Sequence, residues 1–253
     1  MFRPRVIPVL LLKNQGLVKS VAFKNHRYIG DPINAVKIFN DLKADELVFL
    51  DILASKENRT ISLDFVKNVG EEANMPFAAG GGITTLEQIK AIIAAGAEKV
   101  VINNKAAQDP DFIRAASETF GSSTIVVCID VKKKFLGKEQ TWTLNGNKPT
   151  GMSPVEFANQ MEEKGAGEII IQSIERDGAM QGYDLILIRK ISEAVKIPVI
   201  ALGGAGNIQH MKQAYKEAYA NGLAAGSMFV YHGARHGILI SYPDRAEIET
   251  IGQ

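Results

Sequence analysis

Four charged residues stand at the heads of four short apolar runs: Arg5 before Val6-Ile7-Pro8, Glu46 before Leu47-Val48-Phe49, Lys99 before Val100-Val101-Ile102 and Glu168 before Ile169-Ile170-Ile171. Side chains alternate between the two faces of a strand. Four inward-pointing heads would close one end of an apolar interior with two cations and two anions, a ring with little use unless something passes through it. At the far ends of such runs stand carboxylates that could move protons: Asp51, Asp130 and Asp177. Asp130 is the best placed, because it closes the run Thr124 to Ile129 and shares the inward face with Thr124, Val126 and Cys128. Apolar neighbours would raise its pKa and suit it to general acid–base work. Asp51, and Asp177 in Glu175-Arg176-Asp177-Gly178, fit loop caps or turns better. On the first run the inward face of Arg5, Ile7 and Val9 ends in Leu11, which neither donates nor accepts a proton.

Glycines supply the second chemical signal. Gly80-Gly81-Gly82 follows the third run and Gly203-Gly204-Ala205-Gly206 the seventh, each expected to open a helix, where backbone amides and close approach suit phosphate. The adjacent strand ends, Asn103-Asn104 and Ala225-Gly226-Ser227, would complete two sites on opposite rims for a ligand phosphorylated at both ends. Tight turns alone also demand glycine. The segment Lys13 to Gly30 is long for a loop and rich in charge and glycine, so it is expected to be a mobile lid or a surface excursion. Lys19 within it either closes on a ligand phosphate or is solvated. Lone Cys128 sits in an apolar run and is expected to pack in the core. His232 and His236 have i, i+4 spacing but no third ligand, so neither metal nor cofactor is expected. Lys132-Lys133-Lys134 is expected to be a solvated loop, and Trp142 to lie in a small hairpin turning at Asn145-Gly146.

The elements that must position these groups follow from periodicity. Eight strands begin near Arg5, Glu46, Pro76, Lys99, Thr124, Glu168, Pro198 and Asn221, separated by segments such as Thr85 to Ala95 with the apolar rhythm of helices packed on a sheet. Gly96-Ala97 and Gly165-Ala166 mark helix ends that turn left-handed. Eight βα units in 253 residues predict a (βα)8 TIM barrel as a single domain over residues 1–253. Glu46 and Glu168, Pro76 and Pro198, and Gly81 and Gly203 each stand 122 positions apart, so the barrel is expected to consist of two similar half-barrels. The composition, 46% hydrophobic and 23% charged with net charge +1, offers no field for nucleic acid or an acidic membrane surface. No run is long enough to span a bilayer and no secretory signal is visible, which predicts a cytoplasmic chain.

Over nearly the whole chain the stretches RVIPVLLLKN, DELVFLDI, PFAAGGGI, EKVVINN, VVCIDVK, GAGEII, SIERDGAMQGYD and IPVIALGGAGN are similar to the cyclase subunit of imidazole glycerol phosphate synthase, HisF. The resemblance implies a barrel that takes ammonia from a HisH-like glutaminase on its N-terminal face and passes it to a phosphorylated small molecule on the other. Arg5, Glu46, Lys99 and Glu168 would then gate the ammonia, and Asp130 would be catalytic. Ligand contacts would fall to Lys19, Gly81, Gly82, Asn103, Asn104, Gln172, Asp177, Gly178, Gly203, Gly204, Gly226 and Ser227. The family needs a second aspartate on the first strand, where this chain has Leu11, and inward polar positions on strands three and seven appear as Ala78 and Leu202. The ending SMFVYHGARHGILISYPDR also lacks the family's charged amphipathic helix.

Those departures resemble the WbuZ-type paralogue associated with sugar amidation, which implies an ammonia-relaying subunit working with a HisH-like glutaminase and a sugar amidotransferase in polysaccharide biosynthesis. The alternatives are a histidine-pathway cyclase relying on Asp130 alone, and a non-catalytic scaffold that activates a glutaminase.

Overall fold

A computed structural model describes residues 3–134, 137–233 and 235–253. Eight parallel strands close on themselves: β1 (Arg5–Lys13), β2 (Leu47–Asp51), β3 (Phe77–Gly80), β4 (Lys99–Ile102), β5 (Ile125–Lys133), β6 (Glu168–Ser173), β7 (Val199–Leu202) and β8 (Gly222–Ala225). Each pairs with the next and β8 returns to β1, so the fold is a (βα)8 barrel. Every predicted start lies within one residue of the observed one, because β-branched runs bounded by glycine and proline leave the strands little freedom.

Alternation along the strands divides the core in two. Val6, Leu10, Phe49, Val100, Ile129 and Ile169 point outward against the helices. Ile7, Val9, Val48, Val101, Val126, Cys128, Ile170 and Ile200 fill the barrel itself. The inward parity on β1, β2, β4, β5 and β6 is the one carrying Arg5, Glu46, Lys99, Asp130 and Glu168, so charge is confined to the two ends of an apolar column.

Most of the helices begin on side-chain caps, those at Asn104 and Pro110 excepted. Asp31, Ser62, Asp184 and Asn207 each accept a backbone N–H three residues on, and Thr85 with Gln88 and Ser153 with Glu156 form capping boxes. Gly96 and Gly165 take positive φ at the helix ends, as predicted. After β8 no long helix follows among the described residues. The chain makes a 3-10 turn (Ser227–Phe229), a two-stranded hairpin (Tyr231–His232 with Gly237–Ile238) and a short helix (Arg245–Glu249).

Three expectations are corrected. Lys13 to Gly30 is not a loop but an excursion built of strands: Gly16–Val21 pairs antiparallel with the end of β1 and with Lys24–Gly30. Its turn at Asn14-Gln15 is left-handed, and Leu17 and Val18 are buried, a short apolar stretch masked by surrounding charge. The glycine loops do not open helices, which start at Leu86 and Ile208 behind their own caps. Nor is Lys132-Lys133-Lys134 simply a solvated loop: β5 runs through Lys133, Lys132 lies over the Trp142 ring at 5.0 Å and Lys133 pairs with Asp184 at 3.6 Å. The hairpin around Trp142 forms as expected, with Glu139–Thr143 pairing to Lys148–Pro149 and positive φ at Asn145 and Gly146.

Candidate functional site

At the N-terminal end of the barrel the four predicted charges meet. Arg5 bonds Glu46 through Nη1 and Glu168 through Nη2, the latter at 2.7 Å. Lys99 Nζ lies 3.0 Å from Glu168 and 3.4 Å from Glu46. Each cation thus touches both anions and the ring is closed. Glu46 is buried, whereas the Arg5 side chain keeps 30% of its surface, so the ring forms the floor of the barrel with one edge in solvent. Burial opposes the Arg5 charge, but Glu168 and Glu46 outweigh it and hold the guanidinium above its ordinary pKa. Apolar replacements commonly match or exceed buried ion pairs in stability. Directly above lie Ile7, Val48, Val101, Val126 and Ile170, a buried apolar layer hostile to ions.

At the opposite end is a cavity of about 380 Å³. Leu11, Leu50, Val101 and Cys128 form its apolar base, and Asp130, Asn103 and Gln172 stand around it. Gly81, Gly82, Thr84, Asn104 and Lys105 make one wall, while Phe23 and His26 of the first hairpin and Leu144 and Asn145 of the second lean over the mouth.

Asp130 is buried, 3.2 Å from Asn103 Nδ2 and 3.7 Å from Cys128 Sγ. Burial lifts its carboxyl to about 7, with Cys128 and Asn103 pulling down and the Asp177 charge pushing up. It is therefore poised to exchange a proton near neutrality. Burial, reinforced by Asp130, holds the Cys128 thiol well above its ordinary range, so the sulfur is a packing group and weak donor. Across the cavity Leu11 offers no second acid or base.

Lys19 is neither solvated nor in a loop. Its ammonium is buried, donates to Val9 O at 2.6 Å and is lowered to about 8 by burial, against the pull of Asp177. A Cβ on Gly226 would stand 2.4 Å from that ammonium, so glycine there makes room for it. Asp177 accepts from Ser20 Oγ at 2.8 Å and from Gln172 Nε2 at 3.5 Å; burial raises its pKa despite those bonds. Gly178, at positive φ, crosses the Ser20 carbonyl where a Cβ would sit 2.1 Å away. Asp177 and Gly178 thus form one packed unit with Lys19 and Ser20.

The cavity gathers Gly81, Gly82, Asn103, Asn104, Asp130 and Gln172 but not the other predicted contacts. Lys19, Asp177, Gly178, Gly203, Gly204, Gly226 and Ser227 are not among its lining residues, although Asp177 is bonded to the lining residues Ser20 and Gln172, and Gly203 packs beside Gln172. Glycine is sterically required in both loops: a Cβ on Gly82 would meet Arg59 O at 1.8 Å and one on Gly204 would meet Gly182 O at 2.2 Å. Asn104 spends its side-chain oxygen on Leu144 N at 2.7 Å. Asp51 caps its loop through Leu53 N and Ala54 N and pairs with Arg59 at 2.6 Å, as its turn context suggested. His236 stacks on Tyr231 at 5.2 Å while His232 is exposed, and no metal-binding group of three His, Cys, Asp or Glu exists among the described residues; Ala234 between them lies outside those residues.

Sequence reasoning missed Arg59, His26, Phe23 and the reach of Asn145. The Asn145-Gly146 turn was visible, but nothing local says that Asn145 Nδ2 spans the mouth to bond Ile52 O at 2.6 Å.

Among known proteins, the family model described as "Histidine biosynthesis protein" matches residues 5–235. A Pseudomonas aeruginosa protein named "Putative imidazole glycerol phosphate synthase subunit hisF2" is 46% identical over 250 residues, covering 99% of this chain and 100% of its own. A Leptospira interrogans protein named "Putative imidazole glycerol phosphate synthase subunit HisF" is 42% identical over 252 residues, covering 99% of both. A Vibrio vulnificus protein with the same kind of name, hisF3, is 43% identical over 248 residues, covering 98% of this chain and 95% of its own. Among the described residues no helix is long and apolar enough to cross a membrane.

Proposed function

The chain belongs to the histidine biosynthesis protein family, and on that premise we propose that it is an ammonia-passing barrel subunit of a glutamine-dependent amidotransferase. A HisH-like glutaminase docks on the face of the charged ring, and nitrogen leaves at the opposite cavity for a sugar-modifying amidotransferase. The observation that carries this reading is the closed ring of Arg5, Glu46, Lys99 and Glu168 at the foot of an apolar column that ends beside one buried carboxyl.

Ammonia is small and neutral, so it crosses apolar surroundings that exclude ammonium and water clusters. Each ring cation holds two carboxylates, and releasing one bond leaves the other in place while a molecule of that size slips by. At the cavity, Asp130, with its carboxyl near neutrality, exchanges a proton with the arriving nitrogen, and the bond from that nitrogen to the sugar is made by the amidotransferase. The wall of Gly81, Gly82 and Asn103 holds one end of a phosphorylated ligand; outside the cavity lining, Lys19, Gly203, Gly204, Gly226 and Ser227 offer an anion site only if the buried ammonium gives up Val9 O. Leu11 removes the second carboxyl that ring closure of an imidazole precursor needs, which favours amidation of a surface-polysaccharide sugar.

The names of the relatives favour a second reading, the cyclase of histidine biosynthesis. Purified chain supplied with ammonia and the aminoimidazole ribonucleotide precursor separates the two: no turnover is expected, and rescue of a histidine auxotroph overturns the amidation reading. Affinity purification from the native host tests the partners. A glutaminase recovered with a sugar-modifying enzyme supports the proposal, and recovery with histidine-pathway enzymes refutes it. A scaffold that only activates the glutaminase would leave nitrogen transfer unchanged when Arg5 or Lys99 is replaced.

A further inference from the structure

The strands that carry Arg5 and Glu46 are not hydrogen-bonded to each other where those residues sit. β1 pairs with β8 from Arg5 to Pro8 but with β2 only from Val9 onward. The backbone of Val6 is satisfied instead by two side groups: its N–H donates to Asp45 Oδ2 at 3.0 Å, and its carbonyl accepts from Tyr242 Oη at 2.9 Å. The same Tyr242 hydroxyl accepts the Asp45 N–H at 3.1 Å, and Arg3 clamps the Asp45 carboxylate through two bonds of 2.7 and 3.2 Å. Val6 and Asp45 are the chain neighbours of Arg5 and Glu46, the pair that meets in the ring.

Tyr242 lies on the C-terminal strap that takes the place of a long last helix. The strap is fastened by Leu239 N to Val230 O and Ser241 N to Phe229 O, both at 2.9 Å. The Tyr242 ring packs edge-on to Phe39 at 6.5 Å and tilted against Phe229 at 5.6 Å, so the hydroxyl is held in place. We propose that Tyr242 is a positioning residue for the charged ring, its hydroxyl replacing the missing β1–β2 ladder and fixing the distance between the Arg5 and Glu46 backbones. This makes the C-terminal strap part of the ring's control. It deepens the reading of the ring as a passage, but what it asserts is the rigidity of the ring, so the two can fail separately.

The test is acylation of lysines by an amine-reactive ester, followed peptide by peptide by mass spectrometry in the full chain. In the wild type Lys99 is shielded by both glutamates, whereas Lys37 and Lys67 are open to solvent and serve as references. Tyr242→Phe keeps the aromatic packing and removes the two bonds, and Lys99 is expected to react about threefold to tenfold faster, the scale of about one net hydrogen bond. Lys19, buried at the far end, should not change. An unaltered Lys99 rate overturns the inference, as does a rise in Lys19 equal to that in Lys99, which would mean general loosening. Should Tyr242→Phe not fold, Asp45→Ala removes the other half of the network and is judged by the same two outcomes.

Discussion

Replacing Asp130 by Asn should stabilise the protein in a pH-dependent way. Burial lifts the Asp130 carboxyl from its ordinary 3.8 to about 7. The native state therefore holds a proton that the unfolded chain releases, and stability falls as pH climbs between those values. At about 1.4 kcal/mol per pH unit the full effect is about 4 kcal/mol, absent near pH 4 and complete by about pH 8. Asparagine keeps an oxygen for Asn103 Nδ2 and carries no charge. Urea unfolding of wild type and Asp130→Asn from pH 4.5 to 8.5 should give curves that converge at the acid end and separate toward pH 8, with the variant the more stable. Lys19 and Asp177 titrate in both chains, so their contributions largely cancel in the difference. A difference that is flat with pH, or a wild type that gains stability over that range relative to the variant, would refute the claim that this carboxyl is desolvated at a reactive position.

The buried Lys19, lowered to about 8 from 10.5, should behave in the mirror sense: the native state disfavours its charge, a cost complete below pH 8 and fading toward 10.5. Lys19→Met should gain over wild type at pH 7, with the gain shrinking as pH rises through that window in chemical denaturation. Lys99→Ala leaves Glu46 and Glu168 sharing only Arg5 and should cost about 2 kcal/mol by urea melt, discounted from a fully buried pair because the ring is partly wet. Lys99→Met combined with Glu168→Gln should cost less than the sum of the two single changes. Gly82→Ala, with φ +65 and a carbonyl 1.8 Å from the new Cβ, should lose about 3 kcal/mol or more or fail to accumulate as folded protein, seen by circular dichroism melts.

The barrel was legible because strands buried on both faces read as short β-branched runs, and because the offset of 122 residues links equivalent turns: Gly81 with Gly203 and Gly82 with Gly204 all take positive φ. The ring was legible for a similar reason, since parity along each strand ties its head to the inward face. The Gly16–Gly30 hairpin was not, because its strands are short, bulged and polar on the outer side, and only pairing with β1 makes them strands. The same gap hid the burial of Lys19. That only some of the predicted ligand contacts line the cavity depends on loops distant in sequence, such as Gly182 over Gly204, and no local pattern records such crossings.

Glu168 and Gln172 stand four positions apart on β6, as do Lys99 and Asn103 along β4 and its exit, and Glu46 and Leu50 along β2. A single strand therefore bears both a foot and a summit about 13 Å apart, with an inert spacer between them. The summit can therefore differ without disturbing the foot: Leu11 and Arg5 share β1 but stand at its opposite ends. On the proposed reading, a barrel built this way can exchange the recipient of a delivered molecule while keeping the delivery itself.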